Sequence, residues 1–312
     1  MVATGKEMQI DREKARRNER IKRRLKKAIS NKTNRVNRSK TGDALIFIVL
    51  AGFGLFSILP LWLVIANAFK PLNELLIYPP TFIVRNPTLD NFNMLFSLIT
   101  NTWVPLSRYA FNTIFMTVAG TFGRVIVCSL AAYPLAKHKF PGHKAIFQLI
   151  LVALMFNSIV ADVVNYWTMS KLGWLDTYLA IIIPAFADSY GFFLMRQFMT
   201  QMPDSVIESA KLDGAGEFRI YWSIMMPNMK PAWLTLSIFA VQSLWNNTGS
   251  TYIYKEQLKT LTYAIQQITS GGMVRQGAAA AVRLIMMSVP IIFFIISQSK
   301  IIETMSSSGM KE

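Results

Sequence analysis

Residues Glu208 to Pro231 read ESAKLDGAGEFRIYWSIMMPNMKP, a charged stretch that lies between long apolar runs. Just before it, Pro203 can occupy the first turn of a helix, and Asp204 suits the positive end of a helix dipole. Gly214 is placed to end that helix through a left-handed backbone conformation. The pattern predicts a short helix followed by a turn, in an element that protrudes from a membrane protein.

A second amphipathic segment follows the turn. Its apolar residues recur at helical spacing, at Phe218, Tyr221, Trp222 and Met225. We expect Pro227 and Pro231 to break this segment and to begin the next apolar run, because proline disrupts the interior of a helix. The whole element extends over about residues 201–231.

Composition independently indicates a membrane protein. Hydrophobic residues make up 52% of the 312 residues and charged residues 16%, against ~25% charged residues in soluble domains. The uncharged run from Ala44 to Phe69 is longer than the roughly 20 residues that cross a bilayer as a helix. Five further runs cover residues 109–136, 145–167, 177–199, 231–254 and 277–299. We therefore expect an all-α membrane protein, with six transmembrane helices in a domain of residues 43–312 that follows a basic tail of residues 1–42.

The distribution of Lys and Arg predicts the orientation in the membrane. Residues 1–40 hold 15 of the 33 basic residues, and together with the loops on the same side they hold 24, against 8 in the alternate loops. By the positive-inside rule, both termini and the 201–231 element face the cytoplasm of a bacterial cell. The block KRRLKK at residues 22–27 could bind nucleic acid or anionic lipid. We favour a topology determinant that lies against membrane lipid, with no nucleic acid partner.

The chain lacks the sequence motifs of an enzyme. It has no phosphate-binding loop of the form Gly, four residues, Gly-Lys-Ser/Thr, so it is not expected to hydrolyse ATP. His138 and His143 lie in a short basic loop without a Cys or carboxylate cluster, which favours a solvated turn over a metal site. The single cysteine, Cys128, lies in an apolar run. We predict no catalytic residue, no metal and no cofactor in this chain.

The 201–231 element resembles the EAA loop of ABC-importer permeases. That loop reads Glu-Ala-Ala, three residues, Gly, and then an apolar residue and Pro about a dozen positions later. The pattern falls here on Glu208, Ser209, Ala210, Gly214, Met226 and Pro227, with Ser209 as the one departure. The longer form found in carbohydrate-importing members adds Asp213, Ala215, Phe218, Ile224 and Pro231. In this family the loop docks in a groove of a separate ATPase. The resemblance implies that seven residues couple to the ATPase: Glu208, Ser209, Ala210, Asp213, Gly214, Ala215 and Pro227.

The resemblance to carbohydrate-importer permeases covers most of residues 43–312. Further matching positions are Asn112-Thr113, Ala131-Ala132-Tyr133, Leu135-Ala136-Lys137, Leu172-Gly173, Asp176-Thr177, Trp245-Asn246 and the tail from Gln298 to Lys311. Two departures leave the identity of the sugar open. Residues 155–166 lack the proline usual in the third span of sugar permeases, and residues 247–250 differ from the aromatic stretch that often follows Trp-Asn.

The family implies a fold and a set of partners. The fold is a six-span permease with the EAA helix between the fourth and fifth spans. The partners are a second permease in a heterodimer, a cytoplasmic ATPase dimer that holds ATP and Mg²⁺, and an extracellular solute-binding protein. Residues 70–108 either contact the binding protein or form a simple surface cap. The alternatives are an EAA-type permease for a non-sugar solute and a membrane scaffold without transport activity.

The candidate intramembrane charges are Arg124, Asp162 and Asp188, and Arg124 and Asp188 lie furthest from any span end. Counted from the outer face at 1.5 Å per residue, Arg124 and Asp188 lie at depths of roughly 22 and 16 Å. An unpaired charge at mid-bilayer costs at least ~2.5–3.5 kcal/mol, so we expect these two residues to form an ion pair. The alternatives are a substrate-path role for Asp188 alone, pairing of Arg124 with Asp162 or with the partner permease, and a misplaced span that leaves either charge at an interface.

Overall fold

The computed structural model describes residues 40–100, 104–155 and 158–308, and the regular secondary structure of these ranges is helical. This confirms the all-α class. The chain divides into two compact units, residues 1–60 and 61–312. The described residues of the first unit belong to helix α1 (Lys40–Phe69), which ends in the second unit. Residues 1–39 of the predicted basic tail lie outside the described ranges.

The second unit holds the remaining helices. They are α2 (Leu72–Leu75), α3 (Asp90–Thr100), α4 (Leu106–Lys137), α5 (His143–Ala153), α6 (Ser158–Lys171), α7 (Leu179–Phe186), α8 (Ser189–Gln201), α9 (Asp204–Leu212), α10 (Glu217–Ile220), α11 (Met226–Asn228), α12 (Lys230–Trp245), α13 (Leu261–Thr269) and α14 (Gln276–Ser308). A π-helical turn (Tyr221–Met225) joins α10 to α11, and short 3-10 turns cover Glu256–Leu258 and Met273–Arg275.

Four helical stretches of the described residues are long and apolar enough to cross a membrane. They are Thr41–Phe69, Leu106–Lys137, Leu179–Gln201 and Met273–Ile301. These coincide with the first, second, fourth and sixth apolar runs of the sequence. The third run, residues 145–167, is divided between α5 and α6, with residues 156–157 outside the described ranges. The count of six transmembrane helices therefore stays a prediction.

The fifth apolar run, residues 231–254, is helical only as far as Trp245. Helix α12 has 16 residues, which is roughly 24 Å at 1.5 Å per residue. Beyond it, Asn247 Oδ1 accepts a hydrogen bond from the Gly249 N–H at 2.8 Å, and Gly249 has a φ of +65°. The Asn247 side chain thus forms a local turn that competes with the helix. Hydropathy alone does not detect such a turn.

The predicted break falls between Pro227 and Pro231, at the turn residue Met229, and the next helix, α12, begins beside Pro231. From Glu217 the backbone runs through α10, the π-helical turn and α11, and after the turn residue Met229 it enters α12. Each proline lies at one of the first two positions of its helical segment. At those positions the missing N–H removes no hydrogen bond of that segment.

Helix α4 packs against α7, α8 and α12. Two glycines allow close approach on this helix. A Cβ on Gly120 would lie 2.6 Å from Leu244 Cδ1, and a Cβ on Gly123 would lie 1.9 Å from Phe186 Cε1. Small residues at crossings let helix backbones approach closely, as in membrane bundles. Helix α4 therefore connects the elements that carry the candidate functional residues.

Candidate functional site

The EAA segment, residues 201–231, begins with helix α9, which ends in a Schellman motif. The Gly214 N–H donates to the Lys211 carbonyl oxygen at 3.0 Å, and the Ala215 N–H donates to the Ala210 carbonyl oxygen at 2.9 Å. Gly214 has a φ of +79°, the left-handed conformation that the sequence predicts. A Cβ there would meet nothing within 4 Å. The backbone conformation, rather than crowding within this chain, therefore favours glycine at this position.

The predicted coupling residues lie on two faces of the EAA segment. Five of them are exposed: Glu208, Ser209, Asp213, Gly214 and Pro227. Ala215 is half-buried, and Ala210 is buried with Ile207 in the core of this chain. Leu212 and Phe218 are exposed beside them, by 89% and 74%. The sequence analysis did not identify this exposed apolar pair, although Leu212 lies off the helix face that Ile207 and Ala210 define.

Three polar side chains of α4 contact the EAA segment. Ser129, Tyr133 and Lys137 follow one another at intervals of four residues, so they share one face of the helix. Ser129 Oγ lies 2.6 Å from the Tyr221 hydroxyl, and the Tyr133 hydroxyl donates to Glu217 Oε2 at 2.8 Å. These contacts, with those of Lys137, fasten the segment to the last three turns of α4. We call Ser129, Tyr133 and Lys137 the α4 stripe.

Lys137 holds the beginning of α9. Its ammonium group donates to Asp204 Oδ1 at 2.7 Å and to the Met202 carbonyl oxygen at 2.5 Å. Asp204 follows Pro203 at the start of the helix, as the sequence predicts. The hydrogen bond from Lys137 lowers the pKa of Asp204. Both the helix dipole and Lys137 therefore favour the ionised carboxylate.

Glu217 joins the two ends of the EAA turn. Lys211 Nζ lies 2.6 Å from Glu217 Oε1, and His138 Nε2 lies 3.4 Å from Glu217 Oε2, which also accepts from the Tyr133 hydroxyl. The hydrogen bond from Lys211 is the main cause that lowers the Glu217 pKa. Glu217 was not among the predicted site residues, because its partners on α4 are more than 75 positions away in the sequence.

The fourth predicted span is a broken helix. Its halves, α7 and α8, are separated by Ala187 and Asp188. Asp188 has an extended backbone and forms the N-cap of α8, because its Oδ1 accepts from the Tyr190 N–H at 3.1 Å. The sequence analysis treated residues 177–199 as one uninterrupted run. Pro184 and Asp188 are the local signals of the break, because proline ends helices and Asp caps them.

Arg124 of α4 bridges this break. Its Nε donates to the Ala185 carbonyl oxygen at 2.7 Å, at the end of α7. Its Nη1 lies 3.4 Å from Asp188 Oδ2 and 3.4 Å from Ser243 Oγ. The structure thus places the predicted pair in contact, and Asp162, the alternative partner, is exposed on α6. A cation suits the negative carboxyl end of α7, and a carboxylate suits the positive amino end of α8. The depth of both groups in the membrane stays a prediction.

A cavity of about 530 Å³ opens beside Arg124. Its lining also includes Tyr190, Phe239, Gln242, Ser243 and Asn246. The rings of Tyr190 and Phe239 meet edge to face, with centroids 5.6 Å apart. Gln242, Ser243 and the C-cap residue Asn246 are polar residues on one face of the apolar helix α12. This pattern indicates a functional face, but the sequence analysis did not use it. The arrangement offers amide and hydroxyl groups beside two aromatic rings.

Known proteins match this chain over most of its length. A family described as binding-protein-dependent transport system inner membrane component matches residues 37–304. Protein LplC of Bacillus subtilis is 32% identical over 217 residues, which cover 68% of this chain and 70% of LplC.

Two further relatives have names that include a solute. The polygalacturonan/rhamnogalacturonan transport system permease protein YtcP of Bacillus subtilis is 27% identical, and the match covers 75% of this chain and 81% of the length of YtcP. The arabinooligosaccharides transport system permease protein AraQ of Halalkalibacterium halodurans is 28% identical, and the match covers 67% of this chain and 76% of the length of AraQ.

A solved structure shares the fold. It is a chain of a bacterial ABC transporter involved in the import of the acidic polysaccharide alginate, which matches with a TM-score of 0.69 at 20% identity. The match covers 84% of this chain and 98% of the other.

Proposed function

The chain belongs to the family of binding-protein-dependent transport system inner membrane components, and on that premise we propose that it forms half of the translocation path of an ATP-driven importer for a sugar or oligosaccharide. It is a membrane permease subunit. The names of YtcP and AraQ support the substrate class. The observation that carries the proposal is the exposed EAA segment, with its Schellman-capped helix α9, that three side chains of α4 hold in place.

The EAA segment is the proposed contact with a cytoplasmic ATPase dimer, whose subunits hold ATP and Mg²⁺. Glu208, Ser209, Asp213 and Gly214 are exposed within four positions of the exposed apolar side chain of Leu212, a combination that suits an apolar groove with a polar rim. The α4 stripe would pass a displacement of the segment to α4. Because Arg124 lies on the same helix, that displacement would reach the broken span.

The cavity beside Arg124 is the proposed part of the translocation path in this subunit. Polar side chains within membrane helices face a bundle interior or a wet cavity rather than lipid. Gln242, Ser243 and Asn246 offer the hydrogen bonds that sugar hydroxyls need, and Tyr190 and Phe239 offer rings for the apolar faces of a sugar. The second permease of a heterodimer would close the path, and an extracellular binding protein would deliver the solute.

The remaining features of the proposal concern topology. In this proposal the α5–α6 region and helix α12 supply the third and fifth of six spans. Both termini then face the cytoplasm of a bacterial cell, as the positive-inside rule predicts.

Co-purification and transport assays test the proposal. The chain is expressed with the permease, ATPase and binding protein encoded beside it, purified as a complex and reconstituted in liposomes. We expect ATP hydrolysis that a sugar-loaded binding protein stimulates, together with sugar uptake. An ATPase that does not co-purify would favour a scaffold, and stimulation by a non-sugar solute alone would overturn the substrate class.

A further inference from the structure

Two charged side chains of the loop that follows α1, residues 70–89, are turned inward: Lys70 and Glu74. Lys70 is only 1% exposed and donates to Asn67 Oδ1 at 3.0 Å and to the Thr81 carbonyl oxygen. The buried Glu74 carboxylate accepts from the backbone N–H groups of Arg85 at 3.0 Å and Asn86 at 3.4 Å. These bonds compensate the cost of burying the charges and hold the loop in one shape.

The apolar side chains of the same loop are turned outward. Tyr78 is 93% exposed and Ile83 75%, and Leu76, Ile77 and Phe82 are each about half exposed. A loop surrounded by water normally shows the opposite arrangement. An exposed apolar patch of this kind marks contact with another protein or with a membrane. We call residues 76–83 the apolar patch.

A hydrogen bond fixes the position of the apolar patch along the axis of α1. Trp62 Nε1 donates to the Phe82 carbonyl oxygen at 2.8 Å. Trp62 precedes the end of α1 at Phe69 by seven residues, or roughly 10 Å at 1.5 Å per residue. The loop therefore folds back along the helix instead of extending beyond its end.

The length of the helix relates that level to the bilayer. The candidate span Thr41–Phe69 has 29 residues, roughly 43 Å against a hydrocarbon thickness of about 30 Å. If the excess lies at this end or is shared equally by both ends, Trp62 lies within about 4 Å of the hydrocarbon edge, and the Phe82 carbonyl is hydrogen-bonded to its ring. Trp and Tyr are enriched at this level of membrane proteins.

We propose that the apolar patch lies in the outer headgroup layer of the membrane and anchors the end of α1 to phospholipid. This inference rests on the proposed topology, in which this end of α1 faces outward. Residues 75–84 include no charged side chain, so the patch lacks the charges that steer the docking of a soluble partner. Pro79 and Pro80 have no N–H group, which reduces the number of donors that headgroups must satisfy.

Spin labelling of the complete transporter in nanodiscs tests the contact with lipid. Single cysteines replace Ile83 and, as a matched control in the same loop, the exposed Asn86, in a Cys128→Ser background. Collisions of each nitroxide label with oxygen, which concentrates in lipid, are compared with collisions with a water-soluble nickel chelate. We expect the oxygen-to-nickel ratio to be several-fold higher for Ile83→Cys than for Asn86→Cys.

Three results would overturn the inference. Equal ratios at the two positions would place the patch in water. Low accessibility of Ile83→Cys to both reagents would indicate burial by the second permease, and accessibility that falls only when binding protein is added would indicate protein docking. The topology is tested separately by labelling Asn86→Cys with an impermeant maleimide in spheroplasts. Absence of that labelling would refute the proposed orientation, whereas labelling combined with equal ratios would refute the lipid contact alone.

Discussion

The EAA segment and the broken span are each tied to α4 by an ion pair, but the two pairs differ in exposure. In the Lys137–Asp204 pair, the Lys137 side chain is 4% exposed but the Asp204 side chain is 76% exposed. In the Arg124–Asp188 pair, the side chains are 14% and 20% exposed. Water solvates the Asp204 carboxylate when the first pair is broken, whereas the Asp188 carboxylate has less access to water if its arginine is lost. Loss of the Arg124–Asp188 pair is therefore expected to reduce stability more than loss of the Lys137–Asp204 pair, although each pair includes a residue of α4.

The two regions also differ in how their contacts are distributed. The EAA segment is held by three side chains of the α4 stripe, so the loss of one leaves the others in place. The break is contacted by two side chains of α4: Cys128, whose Sγ lies 3.5 Å from the Asp188 carbonyl oxygen, and Arg124, which contacts both halves of the helix and α12. A single substitution at Arg124 therefore disturbs three elements.

Loss of the enclosed pair should have the largest effect. Arg124→Gln leaves the Asp188 carboxylate without its cation, and because this pair is partly exposed the cost is expected to be below the ~3–5 kcal/mol of a fully buried pair. We expect a clear fall in the thermal stability of the purified complex and a loss of uptake. Arg124→Gln combined with Asp188→Asn should recover part of both, because no orphaned charge remains. Strictly additive losses in the double variant would refute a coupled pair.

Adding a side chain at Gly214 should have the next largest effect on transport, although the substitution removes no contact of the EAA segment. Its left-handed backbone disfavours other residues by about 1–2 kcal/mol, so Gly214→Val should distort the end of α9. We expect uptake to be abolished while the amount of protein in the membrane, measured by immunoblot, is unchanged. Gly216→Ala is the matched control, since Gly216 has a φ of −71° and free space around its Cβ. Normal transport by Gly214→Val would remove the coupling proposal.

We expect the smallest effect on stability at Glu217, which lies in the exposed EAA segment. Its pKa is lowered mainly by the hydrogen bond from Lys211. A lowered carboxyl pKa means that the contacts stabilise the fold above the ordinary value of ~4.3 and are lost as the pH falls through the lowered pKa. Glu217→Gln should therefore reduce the melting temperature slightly at pH 7 and not at strongly acidic pH. Glu208→Gln, at an exposed position, serves as the control, and a difference that persists in acid would contradict the assignment.

Local chemistry explains which features were predictable. Gly214 was predicted correctly because a helix C-terminus requires a left-handed residue within a few positions. The end of α12 at Trp245 was missed because hydropathy averages over a window, whereas the Asn247 turn depends on one side-chain hydrogen bond. The break at Asp188 was missed for the same reason.

Contacts between distant segments were predictable only where leaving a group without its partner would carry a high energetic cost. Arg124 and Asp188 were paired in advance because an isolated charge in a membrane is costly. Glu217 had no such signal, because an exposed carboxylate is ordinary in any loop and its contacts with Tyr133 and His138 depend on how distant segments pack.

The sequence by itself determined that this protein is a helical membrane protein with a helix that ends at Gly214, because hydrophobic run length and turn chemistry act over short distances in the chain. Its resemblance to ABC-importer permeases added the family. Only the tertiary structure decided that one stripe of α4 holds the EAA segment while Arg124 bridges a broken helix. It also decided that the loop after α1 buries Lys70 and Glu74 while the apolar side chains of residues 76–83 are exposed. These arrangements depend on the packing of residues far apart in the chain, which composition and spacing do not specify.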